Sequence, residues 1–492
     1  MFLSPLALVP AGGCLAALLL AWALAGCTLG PDYPPPVVEL PQQWQNPSPL
    51  DPTASPSPRD WTNLFSDAQL GALIERALQG NFEVKMAAAR LRQARARQRM
   101  VHSAGTAEID LTGEGNRSQR SANVSNGASG AQNFFQLGFD ASWELDIFGG
   151  ARRANEGAAA RLAVADEEAN SVRLSLAAEV ARTYLELRGT QQRLLIAEKN
   201  LAVQNQTLVW MREREQSGFG TRLEVVQTET QLALNQARLP ELAQGIVERN
   251  YQLCLLLGLP PGALATELTA TAPWPPQPTV RPPELPSELL RRRPDIRRAE
   301  RELAAATADI GVAVAELFPR FTLEGLLGLQ STGLGALLSS NSRYWSAGPS
   351  VRWSLFNGGR VKAAIALNEA RRDEVELNYQ QTVLAALTEV ERLLSRQRHQ
   401  EQVVQTLTRA VQSATQAFDQ ADGRYRMGLA TYLEVLQSQR ALFVAQDQQL
   451  LSRQELATQQ VALFKALGGG WQSVHGAAQH QQSPPPGAGD SQ

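Results

Sequence analysis

Cysteine, histidine and aromatic residues are scarce in this chain of 492 residues, and no stretch carries a block of one charge sign. The three cysteines, Cys14, Cys27 and Cys254, are odd in number and widely separated, which excludes a disulfide framework and a zinc-like ligand spacing. Cys254 lies in the apolar run 253–257 and reads as a buried core residue. His102, His399, His475 and His480 make no ligand set with neighbouring carboxylates, so no metal is expected. A net charge of −2 without a polybasic run argues against nucleic acid as a partner. Lysine and arginine are absent before Arg59, so the basic start of an ordinary secretory signal is missing. The glycine pairs 149–150 and 358–359 have neither a GxGxxG spacing nor the lysine of a phosphate loop. No catalytic residue is expected, and the chain reads as a non-enzyme.

What is abundant is helix-forming material. Ala, Leu, Gln, Arg and Glu fill long stretches while aromatics make up only 6%, a balance that favours long helices over a compact mixed fold. Ahead of them, residues 5–26 are almost wholly apolar and end in Leu24-Ala25-Gly26-Cys27. An apolar run closed by small residues is a secretory signal rather than part of the fold. The ending resembles a bacterial lipobox, which implies removal of residues 1–26 and an acyl and diacylglycerol lipid on Cys27. Residues 27–62 are proline-rich and are expected to run extended from that anchor.

Self-similarity then sets the architecture. Trp143-Glu144-Leu145 with Gly149 matches Trp353-Ser354-Leu355 with Gly359, 210 residues on. At the same spacing, Ser217–Gln227 matches Met427–Gln437, sharing a glycine, a threonine and the Leu-Glu-Val core. Two repeats follow, 63–270 and 287–470, joined by a proline-rich linker at 271–286 and followed by a tail at 471–492 expected to be disordered. Each repeat reads as helix, two strands, long helix, turn and returning helix. Residues 150–216 hold no proline, so one helix of about 100 Å is expected at 1.5 Å per residue. The returns are expected as single helices over 221–258 and 431–467.

Between the helices the apolar period changes to two. Phe135, Leu137, Phe139, Ala141, Trp143 and Leu145 alternate with polar or small residues, as do Phe321 to Leu329 and Trp345 to Leu355. A weaker alternation covers 108–116. Strands of about ten residues with this alternation suit a transmembrane barrel. Trp143, Phe148, Trp345 and Trp353 cluster near strand ends, as membrane-interface aromatics do. Four strands leave two open edges that a bilayer does not tolerate, so the protomer is expected to share its barrel. Three copies supply twelve strands. The expected fold is therefore mainly α with transmembrane β: a trimeric, twelve-stranded barrel continued by a long helical coiled-coil tunnel.

Several ordered motifs together resemble the lipoprotein efflux-channel branch of the TolC-like outer-membrane factor family. They are Gly26-Cys27-Thr28-Leu29-Gly30-Pro31-Asp32-Tyr33, Trp143–Gly150, Arg291-Arg292-Arg293-Pro294-Asp295-Ile296, Leu355–Arg360 and Ala466–Trp471. The resemblance implies a gated exit duct from the periplasm through the outer membrane of a Gram-negative bacterium. The implied partners are its own copies in a homotrimer, outer-membrane lipid, a periplasmic adaptor and an inner-membrane pump of the resistance-nodulation-division type. A type I protein-secretion duct is the alternative on the same fold. The reversals Ser217, Gly218, Phe219, Gly220 and Met427, Gly428, Leu429, Ala430 become the periplasmic tip that meets the adaptor. The resemblance further implies a gate at Glu224, Glu434, Tyr425, Arg222 and Gln437, with Tyr425 placed to bond Glu224. Gln437 stands where a second carboxylate is the family pattern. Mutual repulsion of three Glu434 carboxylates is expected to raise their pKa and attract cations; the plain alternative is a solvated residue at a helix start.

Overall fold

A computed structural model describes residues 28–46, 65, 67–119, 121, 130–269, 274–275 and 286–469. The signal segment, Cys27, nearly all of the linker and the tail from 470 lie outside the described residues. The chain divides into two compact units. The first comprises Met1–Val37, Arg90–Asp166 and Arg298–Gln380, and the second Val38–Ala89, Glu167–Arg297 and Gln381–Gln492.

Elements run in chain order as α1 (Ala68–Gly80), α2 (Phe82–Ser103), β1 (Glu108–Ser118), β2 (Gln132–Leu145) and α3 (Gly150–Gln216). Then come α4 (Arg222–Gln236), α5 (Arg238–Leu257), α6 (Ala265–Leu268), α7 (Glu288–Arg292) and α8 (Pro294–Ala315). Last are β3 (Arg320–Ser331), β4 (Arg343–Arg352), α9 (Arg360–Arg426) and α10 (Tyr432–Ala466). The proline-free stretches form single helices, α3 and α9, of 67 residues each. Two boundaries differ from the sequence reading. The first return is not one helix but α4 and α5, because Pro240 has no N–H for the carbonyl four residues back and the ladder is interrupted around Ala237. β4 ends at Arg352, so Trp353 and Leu355 lie beyond the strand.

The first unit is built around one antiparallel sheet in the order β1-β2-β3-β4, with β1 and β4 as its edges. Register places Leu111, Phe139, Leu327 and Trp345 side by side across all four strands. Each is more than half exposed. Because side chains alternate between faces, the neighbouring register rows belong to the opposite face. One such row aligns Asp110, Asp140, Leu326 and Ser346, and another Glu108, Ser142, Glu324 and Gly348. The sheet thus has one apolar face and one polar, largely acidic face. Its helical core is made of small residues, with Ala305, Ala306, Ala308 and Ala313 of α8 all buried, so that backbones approach closely.

In the second unit the duplication is visible atom by atom. Gly258 (φ 70°) ends α5, and a Cβ there would stand 2.6 Å from the Gly80 carbonyl oxygen. Gly468 (φ 69°) ends α10, and a Cβ there would stand 2.7 Å from the Arg292 carbonyl oxygen. Neither contact admits a side chain. Beside them, Asn81 Nδ2 donates to the Leu256 carbonyl at 2.8 Å, and Arg293 donates to the Ala466 carbonyl at 2.8 Å. Arg293 also pairs with Asp295 and Glu389, which accounts for the Arg-Pro-Asp motif, while Pro294 takes the first helical position of α8. Leu73, Ala77, Val180, Leu185, Leu187, Leu253 and Leu463 form the driest part of this core.

Candidate functional site

The two helix reversals are the most closely duplicated feature of the second unit. Each long helix ends in a left-handed glycine, Gly218 or Gly428, both at φ 75°. The amide of Phe219 reaches back to the Arg214 carbonyl at 2.9 Å, and that of Leu429 to the Arg424 carbonyl at 2.9 Å. This is the six-to-one bond of a Schellman ending. The following helix opens with a capping box in both copies. Thr221 exchanges bonds with Glu224, and Thr431 with Glu434. Phe219, Leu223, Met427, Leu429 and Leu433 are at least half exposed, so the reversals present an apolar surface. Ser217, Gly220 and Ala430 complete the turns.

The two acidic residues are used differently. Glu224 is half-buried and accepts a hydrogen bond from the Tyr425 hydroxyl at 3.3 Å. Tyr425 is only 5% exposed, and burial together with the Glu224 carboxylate pushes its pKa up to about 12. Its hydroxyl therefore stays a donor at physiological pH. Glu434 is exposed, and bonds from the Thr431 amide and hydroxyl hold its carboxyl below the ordinary value. Within one protomer the cap thus lowers the pKa that repulsion in a trimer would raise. Arg222 faces Glu215 at 3.7 Å across the first reversal, and Gln437 is exposed.

Below the reversals lies a dry plug. Leu208, Met211, Val225, Leu232, Tyr425, Tyr432 and Val435 are buried together, with Trp210 and Phe418 against them. The Tyr432 hydroxyl accepts a hydrogen bond from the Thr228 hydroxyl at 2.8 Å. Sequence reading missed Trp210, Arg214 and Tyr432. Arg214 had a signal, since it recurs as Arg424 at the repeat spacing; the lone Trp210 had none.

In the first unit, Trp143 Nε1 donates to the Gly105 carbonyl at 3.1 Å and Trp353 Nε1 to the Leu317 carbonyl at 3.0 Å. Each indole bonds the turn that leads from a helix into a strand, leaving its ring partly exposed. Phe148 stacks on Phe318 at 4.8 Å between ring centroids. Trp345, 76% exposed, stands apart on the open apolar face. Cys27 lies outside the described residues, but the segment after it is extended and held. Arg153, 4% exposed, donates to the carbonyls of Leu29 and Gly30 and pairs with Asp32 at 2.6 Å and Glu156 at 2.8 Å. Cys254 is buried and free.

Comparison with known proteins agrees with this geometry. A model of the family described as Outer membrane efflux protein matches residues 73–259 and 285–469. The chain is 36% identical over 466 residues to the pyoverdine export outer membrane protein OpmQ of Pseudomonas putida, covering 92% of this chain and 97% of that protein. To outer membrane protein OprJ of Pseudomonas aeruginosa it is 31% identical, covering 96% and 98%. The solved structure of the outer-membrane channel OprN superposes with a TM-score of 0.83 at 34% identity, over 91% of this chain and all of that one.

Proposed function

This chain belongs to the outer membrane efflux protein family, and we propose that it works as a homotrimer gated where the long helices reverse. It is an outer-membrane channel component of an efflux system. The single observation that carries the trimer is the sheet: four strands with two open edges and an exposed apolar row from Leu111 to Trp345. In lipid, unpaired edge amides and carbonyls have no water to bond, so the edges must close on other copies. Three copies make a twelve-stranded barrel with the apolar face toward acyl chains and the acidic face toward the pore. Cys27 carries the lipid anchor, and the segment after it is tied down at Leu29, Gly30 and Asp32 by Arg153.

The exposed reversals dock a periplasmic adaptor, which couples the duct to an inner-membrane pump of the resistance-nodulation-division type. Their apolar side chains, from Phe219 to Leu433, supply the contact. Tyr425 and Glu224 hold the closed state, and Glu434 from each protomer lines the constriction. The Thr431 cap keeps that carboxylate ionised near neutrality, so three of them attract cations. Purified trimers in planar bilayers provide the test. Glu434→Gln should weaken cation selectivity; unchanged selectivity removes the carboxylate ring. A heat-modifiable oligomer in outer-membrane fractions is the expected state of the wild type.

A further inference from the structure

Arg214 touches more of its surroundings than a turn residue needs. Its guanidinium carbon lies 5.2 Å from the Trp210 ring centroid and 5.2 Å from that of Tyr425. The two rings meet edge to face, 5.7 Å apart at 88°. The same guanidinium donates to the Phe219 carbonyl at 2.9 Å, while the Arg214 carbonyl accepts the Phe219 amide. One side chain therefore joins three things: the first reversal, the tryptophan of α3 and the tyrosine of α9 that bonds Glu224.

The duplicated half supplies an internal control. Arg424 stands at the equivalent position and reaches the Leu429 carbonyl at 3.4 Å. The residues equivalent to Trp210 and Tyr425, 210 positions away, are Gln420 and Glu215. Arg424 thus shares the turn contact but has no equivalent ring pair to stack between. Capping a reversal explains what the two arginines have in common; it does not explain the ring stack.

We propose that Arg214 is a positioning residue of the closed gate, clamped between Trp210 and Tyr425 so that the tyrosine hydroxyl stays on Glu224 and moves only with the first reversal. The proposal rests on the reading of Tyr425 and Glu224 as a latch. A cation held on aromatic faces favours the arrangement in which both rings are present, so separating α9 from α3 breaks the stack and the Tyr425–Glu224 bond in one event. Lysine keeps the charge but not the planar fork that lies on a ring.

Single-channel recording of full-length trimers tests this, with heat-modifiability confirming assembly of each variant. Tyr425→Phe should raise leak through the resting channel. Arg214→Ala should raise it by about two- to fivefold, Arg214→Lys by less, and Arg424→Ala should leave it at the wild-type level. The Arg214→Ala/Tyr425→Phe double variant should exceed neither single variant by much, because both break one event. Equal effects of Arg214→Ala and Arg424→Ala would reduce Arg214 to a turn cap and overturn the inference. So would a wild-type leak in Arg214→Ala beside a leaky Tyr425→Phe. A tight Tyr425→Phe channel would instead remove the latch itself, and this inference with it.

Discussion

At the residue scale, the same side-chain type does different work depending on what faces it. Glu224 and Glu434 hold equivalent positions and close equivalent capping boxes, yet only Glu224 receives a tyrosine hydroxyl. Replacing Thr221 or Thr431 by alanine should cost about 1 kcal/mol of local stability, read as faster proteolytic cleavage at the reversals. The pH dependence has opposite signs at Tyr425 and Glu434. Tyr425, with its pKa raised, contributes fully below about pH 10, and its contribution is lost as pH rises toward 12. Glu434, with its pKa lowered, contributes above its ordinary 4.5 and loses its cap as pH falls below that. Resting leak should therefore stay flat between pH 5 and about 10 and rise outside that window; a step near pH 7 would contradict this. Arg153 is the residue to remove for the N-terminal segment. Losing its charged bonds to Leu29, Gly30 and Asp32 should loosen the segment around them by about 2 kcal/mol, seen as faster elastase cleavage near Val37 and Val38 in Arg153→Met.

At the scale of elements, glycines of one backbone class divide by their surroundings. Gly218 and Gly428 have positive φ but nothing within 4 Å of an added Cβ, whereas Gly258 and Gly468 have positive φ and a carbonyl oxygen in the way. Alanine at Gly218 should then cost only the left-handed strain of about 1–2 kcal/mol. Gly258→Ala should cost visibly more, because α1 or α5 must shift to relieve the contact with Gly80. Thermal loss of the folded trimer ranks the two variants, and equal shifts would refute the distinction. Pro240 interrupts the first return while the second, α10, runs unbroken. The two reversals are alike in backbone, but the arginine held against an edge-to-face Trp210–Tyr425 pair exists on one side.

For the whole molecule, the sheet dictates the assembly. A charge placed in the exposed apolar row, as in Leu327→Arg, should cost about 2–4 kcal/mol if that row faces the bilayer midplane. Reduced oligomer in outer-membrane fractions is the measurement, and an unaffected oligomer would move this row away from lipid. The proposed Cys27 anchor is separable from the barrel. Cys27→Ser should abolish palmitate labelling while leaving heat-modifiable oligomer detectable, since the barrel edges rather than the lipid close the channel.

Much of this protein was legible in one dimension because its signals are periodic. Two long proline-free stretches, two glycine reversals and period-two strands in duplicate specify helices, turns and sheet by local chemistry alone. The Tyr425–Glu224 bond was expected from resemblance, and the structure gives its distance and burial. The remainder depends on contacts between residues far apart in sequence, which no local pattern records. Asn81 and Arg293 share no sequence pattern, yet each donates to a carbonyl at the end of a returning helix. Trp210 and Arg214 look like an ordinary helix surface until α9 brings Tyr425 against them. Local periodicity determined which elements form; only packing in three dimensions decided which side chains meet.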